Sequence, residues 1–133
     1  MKIIADTNVL IRGVVQDDAR QAAAAARALR KATLIAVAIP VLCEYVWVLR
    51  RVYGMTAAQI AASVRTLLDT SKLVVNRPAA EAGLTVLEAG GDFADGAIAY
   101  EGSWLGGECL VSFDRNAVAV LSRQGQRAIE LTG

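Results

Sequence analysis

The sequence contains no histidine, only two cysteines and almost no net charge. Without histidine, catalysis by a Ser-His or Cys-His pair is excluded, and so is any zinc site that needs imidazole. Cys43 and Cys109 are too few for a thiolate zinc site, and each lies in an apolar stretch, so both are predicted to be reduced thiols in the core. The net charge of +1 gives no overall indication of nucleic-acid binding. If the protein is an enzyme, carboxylates are expected to carry its chemistry.

Long apolar runs are absent as well. No stretch approaches the roughly 18 residues that span a bilayer, and Asp6 interrupts the N-terminus too early for a signal peptide. We therefore expect a cytoplasmic protein that makes no membrane contact. The 133 residues, 55% of them hydrophobic and 20% charged, fit one compact domain over residues 1–133.

Short apolar segments alternate with helical patterns along the chain. Strands are predicted at residues 2–5, 33–38, 73–75, 109–112 and 128–131. Helices are predicted at residues 8–15, 17–31, 40–53, 57–68, 78–89, 93–105 and 116–122. No hairpin signal interrupts the alternation, which indicates crossover connections and a parallel sheet covered on both faces. The predicted fold is α/β, a three-layer α/β/α arrangement around a parallel sheet of four or five strands with the N-terminal strand central.

Two carboxylates stand at the ends of predicted strands. Asp6 directly follows the first strand in "IIADTNVL", and Asp114 follows the fourth strand after one residue in "CLVSFDRNA". Both begin an Asp-x-Asn segment that leads into a helix. Because the carboxyl ends of parallel strands share one edge of a sheet, these two carboxylates are expected to meet there.

Three more acids lie on predicted helices. Glu44 occurs in the otherwise apolar "IPVLCEYVWVL", where an unpartnered carboxylate would be unfavourable. Asp92 and Asp95 in "GGDFADGAIAY" are three residues apart, so they share one face near a helix N-terminus. Clustered carboxylates repel one another unless a cation is present, and oxygen ligands favour Mg²⁺ or Mn²⁺. Such a site can activate water and stabilise the charge of a phosphoryl displacement.

Each acid also has a purely structural interpretation. Asp6 and Asp92 could be helix caps, Glu44 an ion-pair partner, Asp95 a first-turn charge and Asp114 a turn residue. Taken singly, these interpretations are the stronger ones. Taken together they are weaker, because all five positions fall where a parallel α/β fold could bring them together.

Four arginines and two tryptophans are further candidates for function. Arg12, Arg50, Arg51 and Arg115 could contact phosphates, and each could equally be a solvated surface residue. Trp47 is predicted to lie in the core because its helix is apolar. Trp104 is predicted to lie in the core or in an interface, and base stacking is the least favoured of its three possible roles.

These motifs together resemble the PIN-domain ribonucleases, and in particular the VapC-type toxins of bacterial toxin–antitoxin pairs. "DTNVL" is similar to the family's first motif, and "CEYVWVL" looks like its second acidic helix. "DFADGAIA" and "LVSFDRNA" resemble the third and fourth motifs, with Ser112 in place of the commoner Thr. Gly96 stands where the family usually has Ala, a departure expected to matter little.

The resemblance implies an endoribonuclease that depends on Mg²⁺ or Mn²⁺ and cleaves tRNA, rRNA or mRNA. It also implies a homodimer and a small antitoxin partner. The residues that it assigns to metal binding are Asp6, Glu44, Asp95 and Asp114. The residues that it assigns to the catalytic site are Asp6, Thr7, Glu44, Asp92, Asp95, Ser112 and Asp114.

Three other functional hypotheses compete with that of a PIN-domain ribonuclease. A phosphoacceptor receiver domain would need an acidic pair after the first strand, an Asp after the third and a Lys after the fifth, and the sequence has none of these. A phosphatase of the haloacid-dehalogenase type would need Asp-x-Asp where the chain has Asp6 and Asn8. A catalytically silent PIN-like module that binds RNA or protein is disfavoured by the complete set of acids.

Overall fold

The computed structural model describes all residues from 1 to 133 and contains five strands and seven helices. In chain order they are β1 (Lys2–Ile4), α1 (Thr7–Val14), α2 (Ala19–Lys31), β2 (Leu34–Ala36), α3 (Ile39–Arg51), α4 (Ala57–Leu68), β3 (Leu73–Val74), α5 (Arg77–Glu88), α6 (Phe93–Trp104), β4 (Leu110–Ser112), α7 (Arg115–Arg123) and β5 (Ala128–Glu130). The predicted alternation is confirmed, and every element begins and ends within two residues of its expected bounds.

Every strand pairing is parallel, but the strands form two ladders. The first has the order β1-β2-β3, with Ile3 opposite Ile35 and Ile35 opposite Leu73. In the second, β4 pairs with β5, and Val111 lies opposite Ile129. The predicted parallel α/β class is confirmed. The hydrogen bonds do not form one sheet with a central N-terminal strand, because β1 lies at the end of its ladder. Strands of two or three residues carry too few side chains for a sequence pattern to identify their neighbours.

The chain divides into two compact units, residues 1–77 and residues 78–133. The division falls at the beginning of α5, and each ladder belongs to one unit. That residues 1–133 form a single domain stays a prediction.

Helix starts in the first unit are specified by local hydrogen bonds. The Asp18 carboxylate accepts the N–H groups of Arg20 and Gln21 at the start of α2. At the start of α4, Thr56 and Gln59 form a capping box in which each side chain accepts the other residue's backbone N–H. Such caps satisfy N–H groups that have no partner within the helix.

Helices α3 and α4 contribute a large part of the core of the first unit. This part contains the fully buried side chains of Leu42, Tyr45, Leu49, Ile60 and Val64. The Tyr45 hydroxyl forms a hydrogen bond with Ser63 of α4, which satisfies the one polar atom of that ring, and burial raises the pKa of Tyr45. Trp47 is 58% exposed, so the prediction that it lies in the core is wrong. Tyr45 and Trp47 are two residues apart and face different sides of the helix, and Tyr45 is the aromatic residue that packs inside.

The second unit is built around α5, α7 and the β4–β5 ladder. Val86 of α5 packs with Val120 and Leu121 of α7, and Leu110 of β4 and Ala128 of β5 cover this cluster. Neither Cys43 nor Cys109 forms a disulfide, and both thiols are half-buried. None of the seven helices combines the length and the apolar character that crossing a membrane would require.

Candidate metal centre

The first turn of α6 carries two carboxylates of the candidate site. Gly90 precedes the helix with φ of +95°, a conformation that side-chain-bearing residues rarely adopt. Gly91 is buried, and a Cβ at this position would lie 2.7 Å from Val86 Cγ1. Asp92 then occupies the N-cap position of α6, but its side chain accepts no helix N–H. The Asp92 carboxylate is therefore available for a ligand.

Asp114 reaches the site from the loop between β4 and α7. Its Oδ1 accepts the Ala117 N–H at 3.1 Å as the cap of α7, and its own N–H donates to Ser112 Oγ at 2.9 Å. The Asn116 side chain donates to the Gly90 carbonyl at 3.2 Å and so joins the start of α7 to the loop before α6. No role for Asn116 was predicted, although the repeated Asp-x-Asn pattern at Asp6 and Asp114 pointed to this residue.

The structure brings three predicted acids together. Carboxylate oxygens of Asp92, Asp95 and Asp114 all lie within 4.8 Å of one another. Asp95 is half-buried, whereas Asp92 and Asp114 are exposed. Burial raises the pKa of Asp95, and the negative charges of Asp92 and Asp114 raise it further. The group is therefore electrostatically strained when all three carboxylates are ionised.

The donor set fits a hard divalent cation. Three carboxylates offer only oxygen ligands, which suit Mg²⁺ or Mn²⁺, and no sulfur or nitrogen ligand belongs to the group. A bound cation would also offset the repulsion that raises the pKa of Asp95. Asp92, Asp95 and Asp114 could thus hold the metal. Asp92, which the resemblance assigned to the catalytic site but not to the metal, belongs to the same cluster as Asp95 and Asp114.

The remaining predicted site residues of the first unit have definite local roles. Asp6 caps α1, and its Oδ1 accepts the Thr7 N–H at 2.8 Å. Thr7 is buried, and its hydroxyl has no hydrogen-bond partner. Glu44 is exposed in the second turn of α3. The roles of these three residues in a metal site stay predictions.

Two of the candidate arginines are engaged in ion pairs. Arg12 pairs with Asp17, and its Nε donates to Gln21 at 2.8 Å, so its guanidinium joins α1 to α2. This favours the structural interpretation of Arg12. Arg115 is paired with Glu130 at 3.5 Å, yet 87% of its side chain stays exposed.

Gly96 lies where the backbone of α6 approaches the backbone of α5 very closely. A Cβ at residue 96 would lie 2.3 Å from the Ala82 carbonyl oxygen and 2.9 Å from Gly83 Cα. A Cβ at residue 83 would in turn lie 2.6 Å from the Phe93 ring. The expectation that glycine at position 96 matters little is therefore wrong, because the two backbones are too close for an alanine.

Fold and site together define a parallel α/β protein whose second unit carries a cluster of carboxylates suited to a divalent cation. The family model of the PIN domain matches residues 3–120, which includes most of both units. The chain belongs to the PIN-domain family. PIN domains are generally nucleases and typically use divalent metal ions. No curated protein matches the sequence significantly.

Proposed function

We propose that this protein is an endoribonuclease that requires Mg²⁺ or Mn²⁺ and hydrolyses phosphodiester bonds in RNA. The observation that carries the proposal is the convergence of Asp92, Asp95 and Asp114 in a chain with the nuclease-type fold of the PIN domain. The raised pKa of Asp95 supports it, because burial and the charges of Asp92 and Asp114 disfavour its ionised form, and a bound cation would offset both effects.

The residues of the second unit would divide the work in the following way. Asp92, Asp95 and Asp114 would hold the cation, which when bound would stabilise charge on the phosphate and lower the pKa of a bound water. Ser112 accepts the Asp114 N–H and so orients that loop. Since the chain has no histidine, a carboxylate is the expected acceptor of the proton of the attacking water; the candidates are Glu44 and, if it does not bind the cation directly, Asp92. Attack by water leaves a 3′-hydroxyl and a 5′-phosphate.

The test is an assay of RNA cleavage with mapping of the product ends. Purified protein is incubated with labelled tRNA and rRNA fragments in Mg²⁺, in Mn²⁺ and in EDTA. Asp95→Asn should lose nearly all activity. Glu108→Gln is the matched control, because Glu108 is an exposed carboxylate of the same unit that makes only a 4.0 Å ion pair with Arg127. Cleavage that persists in EDTA, or products with a 2′,3′-cyclic phosphate, would contradict the proposal.

Asp6, Thr7 and Glu44 enter this proposal through the motif resemblance, and the same assay tests them. Asp6→Asn and Glu44→Gln are expected to lower the cleavage rate about 10²-fold or more, as removal of catalytic charges usually does. The wild type could instead bind RNA without cleaving it in any metal. In that case the protein is the catalytically silent binding module.

We further propose that the protein is the toxin of a VapBC-type pair, acts in the cytoplasm and is blocked by a small antitoxin. Induced expression should then arrest growth, and co-expression of a short neighbouring reading frame should restore it. Growth arrest by Asp95→Asn as strong as that by the wild type would show that the arrest does not come from the nuclease.

We also propose a homodimer. One face of the β4–β5 ladder exposes Val111, Ile129 and, beyond the strand ends, Phe113 and Leu131, and an apolar face of this kind needs cover. Sedimentation of the purified protein at micromolar concentration should give the mass of two chains. A monomer under these conditions would contradict the proposal.

A further inference from the structure

Helix α3 presents a single exposed stripe. Its exposed residues are Pro40, Glu44, Trp47, Arg50 and Arg51, and every other position of the helix is buried or half-buried. Spacings of three and four residues place Glu44, Trp47 and Arg51 above one another on one face. The stripe is therefore a continuous surface about three turns long.

The chemistry of this surface is unusual for a solvated helix face. Trp47 exposes 58% of its surface, whereas its neighbours Val46 and Leu49 are buried. Arg50 and Arg51 are exposed and form neither an ion pair nor a side-chain hydrogen bond. An exposed indole beside two free guanidinium groups offers a flat apolar surface for a base and donors for phosphate oxygens.

We propose that the stripe on α3 binds an unpaired segment of the RNA substrate, with Trp47 stacked on a base and Arg50 and Arg51 in contact with neighbouring phosphates. This inference rests on the proposed function and specifies its substrate as unpaired RNA. Stacking on a side chain requires a base free of its own stack, so a continuous duplex does not satisfy Trp47.

Charge distinguishes this occupant from a second copy of the chain. The stripe carries two arginines and one carboxylate, so its net charge is positive. A two-fold contact would place the same positive surface on both sides, whereas a polyanion matches it.

The experiment measures binding in EDTA, so that cleavage is not required. The probe is a labelled, unstructured RNA of about 12 nucleotides, within the usual site sizes of single-strand binders, and a duplex of the same sequence is the comparison. Trp47→Leu should weaken binding of the unpaired RNA about 5- to 100-fold, and Trp47→Phe should retain most of the affinity. Trp104→Leu is the matched control, because Trp104 is 77% exposed on α6 and should leave the affinity unchanged.

The arginines are tested by salt dependence. Each phosphate contact to a single strand contributes about 0.7 to the slope of log K against log salt, so Arg51→Gln should lower that slope by about this amount. Arg27→Gln on α2 is the control, because Arg27 is likewise exposed. In a Trp104→Phe protein Trp47 is the only tryptophan, and RNA should quench its fluorescence.

Two results would overturn the inference. One is an unchanged affinity of Trp47→Leu for unpaired RNA, whether or not the variant becomes monomeric, and the other is equal binding of duplex and unpaired RNA. Thermal unfolding of each variant verifies that it folds. If unpaired RNA binds through Trp47 but is never cleaved, the nuclease proposal fails and this inference stands. If the protein cleaves RNA in a metal-dependent way and Trp47→Leu binds unpaired RNA as tightly as the wild type, the nuclease proposal stands and this inference fails.

Discussion

Replacement of Gly96 by alanine is the sharpest test of how α6 is positioned. The new Cβ would lie 2.3 Å from the Ala82 carbonyl oxygen and 2.8 Å from the Ala82 carbonyl carbon. These are backbone atoms, so no side-chain rotation relieves the contact, and α6 must move away from α5. Asp95 is the adjacent residue, so this movement would also displace a carboxylate of the candidate metal centre.

The expected magnitude is a balance of two effects. Overpacking of a closely packed contact usually destabilises by about 1–3 kcal/mol. Exchange of glycine for alanine within a helix stabilises by about 1 kcal/mol, because alanine loses less backbone entropy. We therefore expect Gly96→Ala to lower the free energy of unfolding by about 0–2 kcal/mol, the difference of these two ranges.

Gly102 provides a matched control in the same helix, because a Cβ there would meet no atom within 4 Å. Gly102→Ala should raise the free energy of unfolding by about 0.5–1 kcal/mol through helix propensity alone. Urea unfolding of both variants measures the difference, which should be about 0.5–3 kcal/mol. Equal stability of the two variants would refute the close approach of α5 and α6.

Three further predictions concern the candidate metal centre and the Ser112 hydroxyl beside it. Mg²⁺ or Mn²⁺ at about 100 times its Kd should stabilise the protein by about 2.7 kcal/mol and so raise its melting temperature. If the metal raises the melting temperature of the Asp92→Asn, Asp95→Asn double variant as much, the metal binds elsewhere. Without metal, Asp95 keeps its proton in the folded state at pH values above its ordinary pKa of 3.8, at which the unfolded chain has lost it. The free energy of unfolding should therefore fall as pH rises from 3.8 through the raised pKa of Asp95. The affinity for the cation should increase over the same range, because the cation binds the ionised carboxylate. Asp95→Asn should flatten this part of the stability profile in urea titrations, and an unchanged profile would exclude Asp95 as its source. Ser112→Ala should lower the cleavage rate only partly, because the exposed Asp114 N–H that it frees can bind water; complete loss of activity would show that the hydroxyl has a direct role.

Much of the local structure could be predicted from the sequence alone. The caps of α2 and α4 depend on residues three or fewer positions apart, so Asp18 and Thr56 specify these helix starts without help from the rest of the chain. The same holds for Asp92 and Asp95, whose spacing of three residues on a helix already places them on one face. The alternation of strands and helices followed from patterns of similar range.

The tertiary structure alone decided which side of each element faces inward and how closely elements approach. In α3 the run from Tyr45 to Leu49 is apolar in every direction around the helix, so periodicity could not show that Tyr45 is buried and Trp47 exposed. The short distance at Gly96 depends on atoms of α5, fourteen residues earlier in the chain. The approach of Asp114 to Asp95 joins residues nineteen positions apart, and the Asn116 hydrogen bond to the Gly90 carbonyl links the same two loops. Local patterns carry no information on such distances, because they arise from the fit between surfaces that are remote in sequence.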